Sequence, residues 1–443
     1  MTARARRRLD VFVAQAHAGE LRMAEDGALT FQYDQSYAGP DLSVRMPFSS
    51  GEYAGKSVYA WFDNLLPDDR RVRQGMAAEA GTSTGVFPLL ANYGADLPGA
   101  VQVVASDDVG SLLNRGQGYV RLSRTEIAAR LRRIMEDEDA QRARTWARSD
   151  EHWSLGGMQT KIALREFDGQ WYECLGSSAS NVIVKPGAWG LEGQAFVECL
   201  TMELAKRCGL PTASVRVEPF DEISAIVVQR YDRFTAPTSG LVTRIHQEDL
   251  CQATGTVSAK KYAADGGPSA PEVMGLLRRA EGGSASRFVD ALLFNCLTAS
   301  TDAHAKNYSV LHPRRSEYLL APLYDLASAA PYMGKGKTYR LAMAIGGENR
   351  VGWLRKSSLE RFAQANGLDS GQLADRADEL AELIKDNLEP AADELARQPG
   401  SDALASLLIC RLRALCDATQ RNIRVDGIHF KPVDIARFGI MSC

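Results

Sequence analysis

Residues 299–311 read "ASTDAHAKNYSVL". Asp302, His304, Lys306 and Asn307 sit there among small residues, just ahead of an apolar run that reads as a buried strand. An Asp and an Asn five apart on one loop, with Asp325 eighteen further on in "LLAPLYDLASAA", is a phosphoryl-transfer spacing. In such an arrangement the first Asp orients and deprotonates a hydroxyl, while the Asn and the second Asp hold Mg²⁺ against nucleotide phosphates. Magnesium takes oxygen ligands and keeps several waters, so two protein ligands suffice. Taken alone, Asp302 and Asn307 also fit a helix cap or an Asx turn.

Other parts of a nucleotide site occur upstream. "NVIVKPG" ends an apolar strand on Lys185, whose ammonium can reach α- and β-phosphates; a solvated strand end is the plainer alternative. Thirteen residues on, Glu198 lies in "EGQAFVECLTMELAKRCGL", a helix with Phe196, Leu200 and Leu204 on its apolar face. It is a candidate partner for Lys185, with Glu192 and Glu203 as rivals and a surface carboxylate as the alternative. "WSLGGMQTK" places Gly156 and Gly157 between Ser154 and Lys161. Two glycines let backbone amides approach phosphate oxygens, although the stretch is neither a Walker A nor a G-x-G-x-x-G motif and a tight turn reads equally well. "VVQRYDRF" follows an apolar strand whose backbone can meet adenine, and its Asp232, flanked by Arg230 and Arg233, also fits a surface ion pair. Asp302, His304 and Asp325 would instead ligate Zn²⁺ or Mn²⁺ in a metal-dependent hydrolase. With six histidines in the chain and no second one nearby, a closed metal site is hard to assemble.

Composition narrows the class. The 443 residues are 45% hydrophobic and 24% charged, and roughly 150 residues per domain gives two or three domains. We place them at 1–110, 111–235 and 236–443. A net charge of −3 supplies no basic field for autonomous nucleic-acid binding. The basic start "MTARARRRLDVFVAQAHAGE" lacks the apolar core of a secretory signal, and Arg4, Arg6, Arg7 and Arg8 read as a disordered, solvated tail, with contact to a phosphate backbone as the alternative. No run of about 18 apolar residues occurs, so no membrane span is expected. Eight cysteines without a C-x-x-C pair fit reduced thiols in a cytoplasmic protein.

Along the chain, "LDVFVAQ", "LTFQYDQ" and "GAVQVVASDD" read as strands. "SVYAWFDNLLPDDRRVRQGM" reads as a helix broken at Pro67 and followed by a second. "DDVGSLLNRGQG" reads as a linker, and residues 124–142 have helical spacing. Short strands "KIALREF", "QWYECL", "NVIVKPG", "SVRVEPF" and "SAIVVQRYD" enclose a helix over 192–208. Beyond about 236 the chain is expected to be mostly helical, with strong helices in "LADRADELAELIKDNLEPAADELA" and "DALASLLICRLRALCDATQRNI".

The order "SLGGMQTK", "VIVKP", "QRYDR", "TDAHAKN", "YDLASA" resembles the HipA toxin kinases of bacterial type II toxin–antitoxin modules. "FDNLLPD", "GAVQVV", "LVTRIHQEDLCQATG" and "KYAADGGP" extend the resemblance over roughly residues 9 to 390. It implies a two-lobed, protein-kinase-like α/β fold with an N-terminal β-rich subdomain and a mostly α-helical C-terminal lobe. It further implies transfer of the ATP γ-phosphate to protein serine or threonine, with ATP and Mg²⁺ as cofactors. By that resemblance Asp302 is the catalytic base, Asn307 and Asp325 are Mg²⁺ ligands, and Lys185 binds phosphate. Gly156, Gly157, Met158, Gln159, Thr160 and Lys161 form the ATP loop, and Gln229, Arg230 and Tyr231 the hinge. His304, Ala305 and Lys306 line the catalytic loop, Tyr324 precedes Asp325, and Ser154 is the autophosphorylated serine. The implied partners are a HipB-like helix-turn-helix antitoxin, operator DNA mainly through it, and a substrate among the aminoacyl-tRNA synthetases, such as glutamyl-tRNA synthetase. Gln229 stands where members often carry an acid, Met158 and Thr160 depart from the usual loop residues, and "RVDGIHFKPVDIARFGIMSC" has no counterpart in the resemblance. A co-repressor with a dispensable kinase is the rival reading from another class.

Overall fold

The computed structural model describes residues 7–106, 109–110, 118–139, 161–187, 191–395, 401–425 and 430–439. The chain divides into two compact units: residues 1–189, 219–261 and 309–321 form the first, and 190–218, 262–308 and 322–443 the second.

The first unit opens with β1 (Arg8–Val13), β2 (Ala16–Met23), β3 (Leu29–Tyr33) and β4 (Glu52–Ala54), then α1 (Lys56–Asp63), α2 (Arg70–Glu79), α3 (Val86–Tyr93) and β5 (Val101–Ala105). These strands form an antiparallel sheet in the order β4-β3-β2-β1-β5. Leu9, Val11, Leu21 and Phe31 point to one face and meet Trp61, Phe62, Leu89 and Leu90 from the helices. Gly19 has no substitute here, because a Cβ would lie 2.1 Å from the Gln32 carbonyl oxygen. The break expected at Pro67 is present, and Asp69 caps α2 by accepting from the Arg71 amide.

A second sheet follows, with β6 (Gly118–Leu122), α4 (Arg124–Asp139), β7 (Ile162–Phe167), β8 (Gln170–Leu175), β9 (Val182–Lys185), β10 (Val215–Phe220) and β11 (Ile223–Gln229); α5 (Gln194–Arg207), between β9 and β10 in sequence, belongs to the second unit. Its order is β10-β11-β9-β7-β8-β6, and Ile127 and Leu131 of α4 pack on Leu164, Val184 and Val227. Two smaller sheets complete the unit: the hairpin β12 (Arg233–Thr235) and β13 (Val242–Arg244), and β14 (Gln247–Asp249) with β15 (Ser309–Arg314) and β16 (Glu317–Leu320). A short α6 (Leu250–Thr254) follows β14. Residues beyond 236 therefore carry more strand than the pattern predicted; β13 and β14 have three residues each and β16 four, too short to show a period of two.

Two buried carboxylate hubs organise this unit. Glu248, with no exposed surface, accepts from Ser43 Oγ (2.7 Å), the Val44 amide (2.7 Å), Trp61 Nε1 (2.9 Å) and His312 Nε2 (3.0 Å). Burial pushes the neighbouring His246 down to about 3, so it stays a neutral ring whose Nε2–H donates to the Leu42 carbonyl (2.9 Å). The second hub corrects the surface ion pair expected at Asp232. Asp232 is buried and bonded by Arg230 (2.7 Å), Arg233 (2.7 Å) and the Gly99 amide (2.8 Å), while buried Asp96 bonds Arg244 (2.7 Å), Arg233 (3.2 Å) and Ser180 Oγ (3.2 Å). Asp96 lies 137 residues from Arg233, a pairing that local sequence cannot reveal.

Burial alone would push the Asp232 carboxyl up; Arg230 and Arg233 overcome it and hold it at about 2, against an ordinary 3.8. Asp96 is lowered as well, by Arg244, Arg233 and Arg230 against its burial. A carboxyl depressed on folding contributes stability that is complete above its unfolded value and is lost as pH falls through its folded one. Tryptophan fluorescence of the full chain should thus stay native at pH 5 and report unfolding of this unit between about pH 4 and 2. A transition centred above about pH 5 would contradict the assignment.

The second unit contains α5, then α7 (Ala270–Leu277), α8 (Ser284–Leu297), a hairpin of β17 (Arg340–Ile345) and β18 (Glu348–Arg350), α9 (Lys356–Ala365), α10 (Ser370–Leu395) and α11 (Ser401–Arg424). On α10, Leu373, Ala377, Leu380, Ala381, Ile384 and Leu388 are buried at the three-and-four spacing of one helix face. That face packs with α5, α8 and α11. Cys410 on α11 is disulfide-bonded, against the expectation of reduced thiols throughout. Cys174, Cys199, Cys208, Cys251, Cys296 and Cys416 are free and buried. Among the described residues no helix is long and apolar enough to cross a membrane.

Candidate active site

In the second unit, α8 delivers the opening stretch. Phe288, Leu292 and Phe294 bury its face, and Ala299 then reverses the chain with φ +53. Thr298 Oγ1 bonds the Phe294 carbonyl (2.8 Å) and Ser300 Oγ (2.9 Å), so the turn is fixed before Asp302 is reached. The Asp302 carboxylate is exposed, while His304, Lys306 and Asn307 are buried behind it. The Asp302 carbonyl accepts from the His304 amide (2.8 Å) and from Asn307 Nδ2 (2.9 Å). The second bond turns the Asn307 amide oxygen away from the Asp302 carbonyl. The helix-cap reading is therefore replaced by a closed loop in which Asn307 braces Asp302.

Asp325 sits at φ +59, a left-handed conformation that few residues other than glycine, Asn and Asp adopt. Its loop is tied to the Asp302 loop. Ser328 Oγ donates to the Thr298 carbonyl (2.6 Å), the Ala329 amide donates to the Ala299 carbonyl (3.0 Å), and Tyr324 OH donates to the Lys306 carbonyl (2.9 Å). Thr201 Oγ1 of α5 accepts from the Ser328 amide at 3.1 Å. Asp302, Asn307 and Asp325 are thus carried on two loops stitched into one body.

Tyr262 was not singled out as a site residue. Its hydroxyl donates to Asp302 Oδ1, and its ring meets His304 edge-on, with centroids 4.8 Å apart at 88°. Forty residues separate Tyr262 from Asp302, and only its place in "KYAADGGP" hinted at it. Among the described residues no group of three or more His, Cys, Asp and Glu side chains could hold a metal ion, so the Asp302–His304–Asp325 hydrolase set is not assembled there.

The first unit holds the remaining candidates. Lys185 is buried at the end of β9, opposite Ile226 of β11, rather than solvated. Gln229 pairs with Val182, the Arg230 amide donates to the Asn181 carbonyl (2.9 Å), and Tyr231 OH bonds the Gln247 side chain. The Arg230 guanidinium belongs to the Asp232 hub, with Nε (3.0 Å) and Nη2 (2.7 Å) on Asp232 and Nη1 on Ser180 Oγ (2.8 Å). Lys161 is half-buried just before β7. Glu198, in the second unit, is buried on α5 and accepts from Gln194 Nε2 (3.4 Å), correcting the surface alternative. Ser154, Gly156, Gly157, Met158, Gln159 and Thr160 lie outside the described residues.

The HipA-like C-terminal domain matches residues 153–388, and the HipA N-terminal domain matches residues 9–104. The chain belongs to the HipA family. It is similar to the protein Y4mE of Sinorhizobium fredii, with 28% identity over 396 residues, covering 85% of this chain and 90% of that one. It is equally similar to the serine/threonine-protein kinase toxin HipA of Shewanella oneidensis, with 28% identity over 394 residues, covering 85% and 87%. The solved structure of Shewanella oneidensis HipA with HipB and operator DNA superposes with a TM-score of 0.80 at 25% identity, over 93% of this chain and 99% of that one. This HipA-family chain accordingly has a protein-kinase-like mixed α/β fold. The HipA N-terminal match coincides with the first sheet and its helices, and the C-terminal match contains both stitched loops.

Proposed function

We propose that this HipA-family chain is an ATP- and Mg²⁺-dependent serine/threonine protein kinase that acts as the toxin of an antitoxin pair. The observation that carries the reading is the stitched pair of loops bearing Asp302, Asn307 and Asp325. Asp302 would accept the proton of a seryl or threonyl hydroxyl, its exposed carboxylate being accessible to a protein substrate. Asn307 and Asp325 offer an amide and a carboxylate oxygen, a donor set that fits a hard cation such as Mg²⁺. The ion, when bound, supplies charge neutralisation on the phosphates. Lys185 would hold phosphate oxygens, the Gly156–Lys161 stretch would cradle them, and Gln229 to Tyr231 would meet the base. Ser154 would be the site of autophosphorylation, where about −1.5 to −2 charges beside a triphosphate would reorganise the loop.

A HipB-like helix-turn-helix antitoxin, with operator DNA bound mainly through it, is the proposed partner; support comes from the relative solved with HipB and operator DNA. The proposed substrate is a translation-related protein, on the family resemblance an aminoacyl-tRNA synthetase such as glutamyl-tRNA synthetase, in the cytoplasm. The same solved assembly favours, as a second reading, a co-repressor role in which the kinase is dispensable.

Intact mass separates the two. Phosphatase-treated protein is expected to gain phosphate on Ser154 when given ATP with Mg²⁺, and none when a chelator removes the metal. No gain, together with no measurable ATP binding, would overturn the kinase reading and leave the co-repressor.

A further inference from the structure

Residues beyond 388 lie past the stretch matched to the HipA-like C-terminal domain, yet one of them reaches the loop that carries Asp325. Arg411, buried on α11, donates five hydrogen bonds, all to backbone carbonyls. Nη1 reaches the carbonyls of Ala330 (2.5 Å), Pro331 (3.2 Å) and Met333 (3.1 Å), in the turn just after the Asp325 loop. Nη2 and Nε reach those of Ala436 (3.3 Å) and Phe438 (3.1 Å), in the C-terminal segment 430–439. A guanidinium is the one side chain with enough fixed donors to hold two separate backbone segments at once.

The C-terminal segment is itself anchored elsewhere. Asn422 exchanges two bonds with Lys431 (2.9 and 3.2 Å), the Val433 amide donates to the Gly352 carbonyl (3.1 Å), and Asp434 accepts from the Gly336 amide (2.9 Å). The Phe430 ring meets Trp353 at a tilt of 51°, with centroids 5.7 Å apart. On the other side, Ala330 is one residue beyond the Ser328–Ala329 stitch to Thr298 and Ala299. The chain of contacts therefore runs from an anchored C-terminal segment, through one cation, to both candidate loops.

We propose that Arg411 is a positioning residue through which the C-terminal segment holds the loops of Asp325 and Asp302 in register. The role for nucleotide rests on the kinase reading above; the mechanical coupling does not. Burying a cation against carbonyls alone costs desolvation, which lowers the Arg411 pKa, and Asp434 nearby offsets part of it.

The test is amide hydrogen exchange of the full chain, wild type against Arg411→Met and Arg411→Lys, with the Mg·ATP dissociation constant measured on the same samples. The lysine keeps the buried charge but cannot span both segments, so it remains informative if the methionine variant fails to fold. Exchange in 328–333 and in 430–439 is expected to rise together, by about 10-fold or more, while α10 is unchanged. The Mg·ATP dissociation constant should rise roughly 10-fold, since small misplacements of a positioned group are costly. The proposal is overturned if only one of the two segments responds, if α10 loosens equally, or if both segments loosen while nucleotide binding holds at the wild-type value. A wild type that binds no nucleotide refutes the kinase reading instead, and the paired exchange still decides the coupling.

Discussion

Asp302→Asn is expected to lower phosphate transfer at least about 100-fold, the range contributed by a positioned general base. The substitution keeps the volume and removes only the proton acceptor. Asn at this position can still accept from Tyr262 OH, and the backbone carbonyl that takes the Asn307 and His304 bonds is untouched. Mg·ATP affinity should therefore stay within about threefold, because the groups proposed to hold the nucleotide are elsewhere. Paired measurements of ADP release and calorimetric ATP binding check both halves. A variant retaining more than about a tenth of the rate would mean that Asp302 does not take the proton. A collapse of ATP affinity with the rate would assign Asp302 to binding.

Asp96→Ala should be the most destabilising substitution in the first unit, by about 3–5 kcal/mol, the cost of breaking a buried ion pair by removing one partner. Arg244 and Arg233 would lose their shared carboxylate, and Ser180 an acceptor, with Asp232 alone left to balance three buried guanidiniums. Urea unfolding followed by tryptophan fluorescence, including the buried Trp61, reports the change. Asp96→Asn keeps one acceptor and should lose less. A loss below about 1 kcal/mol for Asp96→Ala would show that water or rearranged side chains replace the carboxylate easily.

Much of this was legible in the chain. "NVIVKPG" and "SAIVVQRYD" announce β9 and β11 because continuous apolar runs of that length are buried strands. The 3.6 period of "LADRADELAELIKDNLEP" announces α10. The loop from Asp302 to Asn307 is marked by its local spacing, and its closing bond joins residues five apart. Contacts between distant side chains left no such trace. Nothing near Asp232 foretells Asp96, nothing near Asp302 foretells Tyr262, and Arg411 sits among other arginines on an amphipathic helix. Burial of Lys185 and Glu198 was missed for the same reason: a charged residue on an element reads as solvated until the facing layer is known.

The match to residues 9–104 marks a stretch recognised as a domain of its own. The two carboxylate hubs make it inseparable as a folding unit. Glu248 draws its donors from Ser43, Val44 and Trp61 on one side of that boundary and from His312 on the other, and Asp96 is neutralised by arginines at 233 and 244. Excising that stretch would strand charge in both pieces, so the boundary of the matched domain is not one at which the chain can be cut.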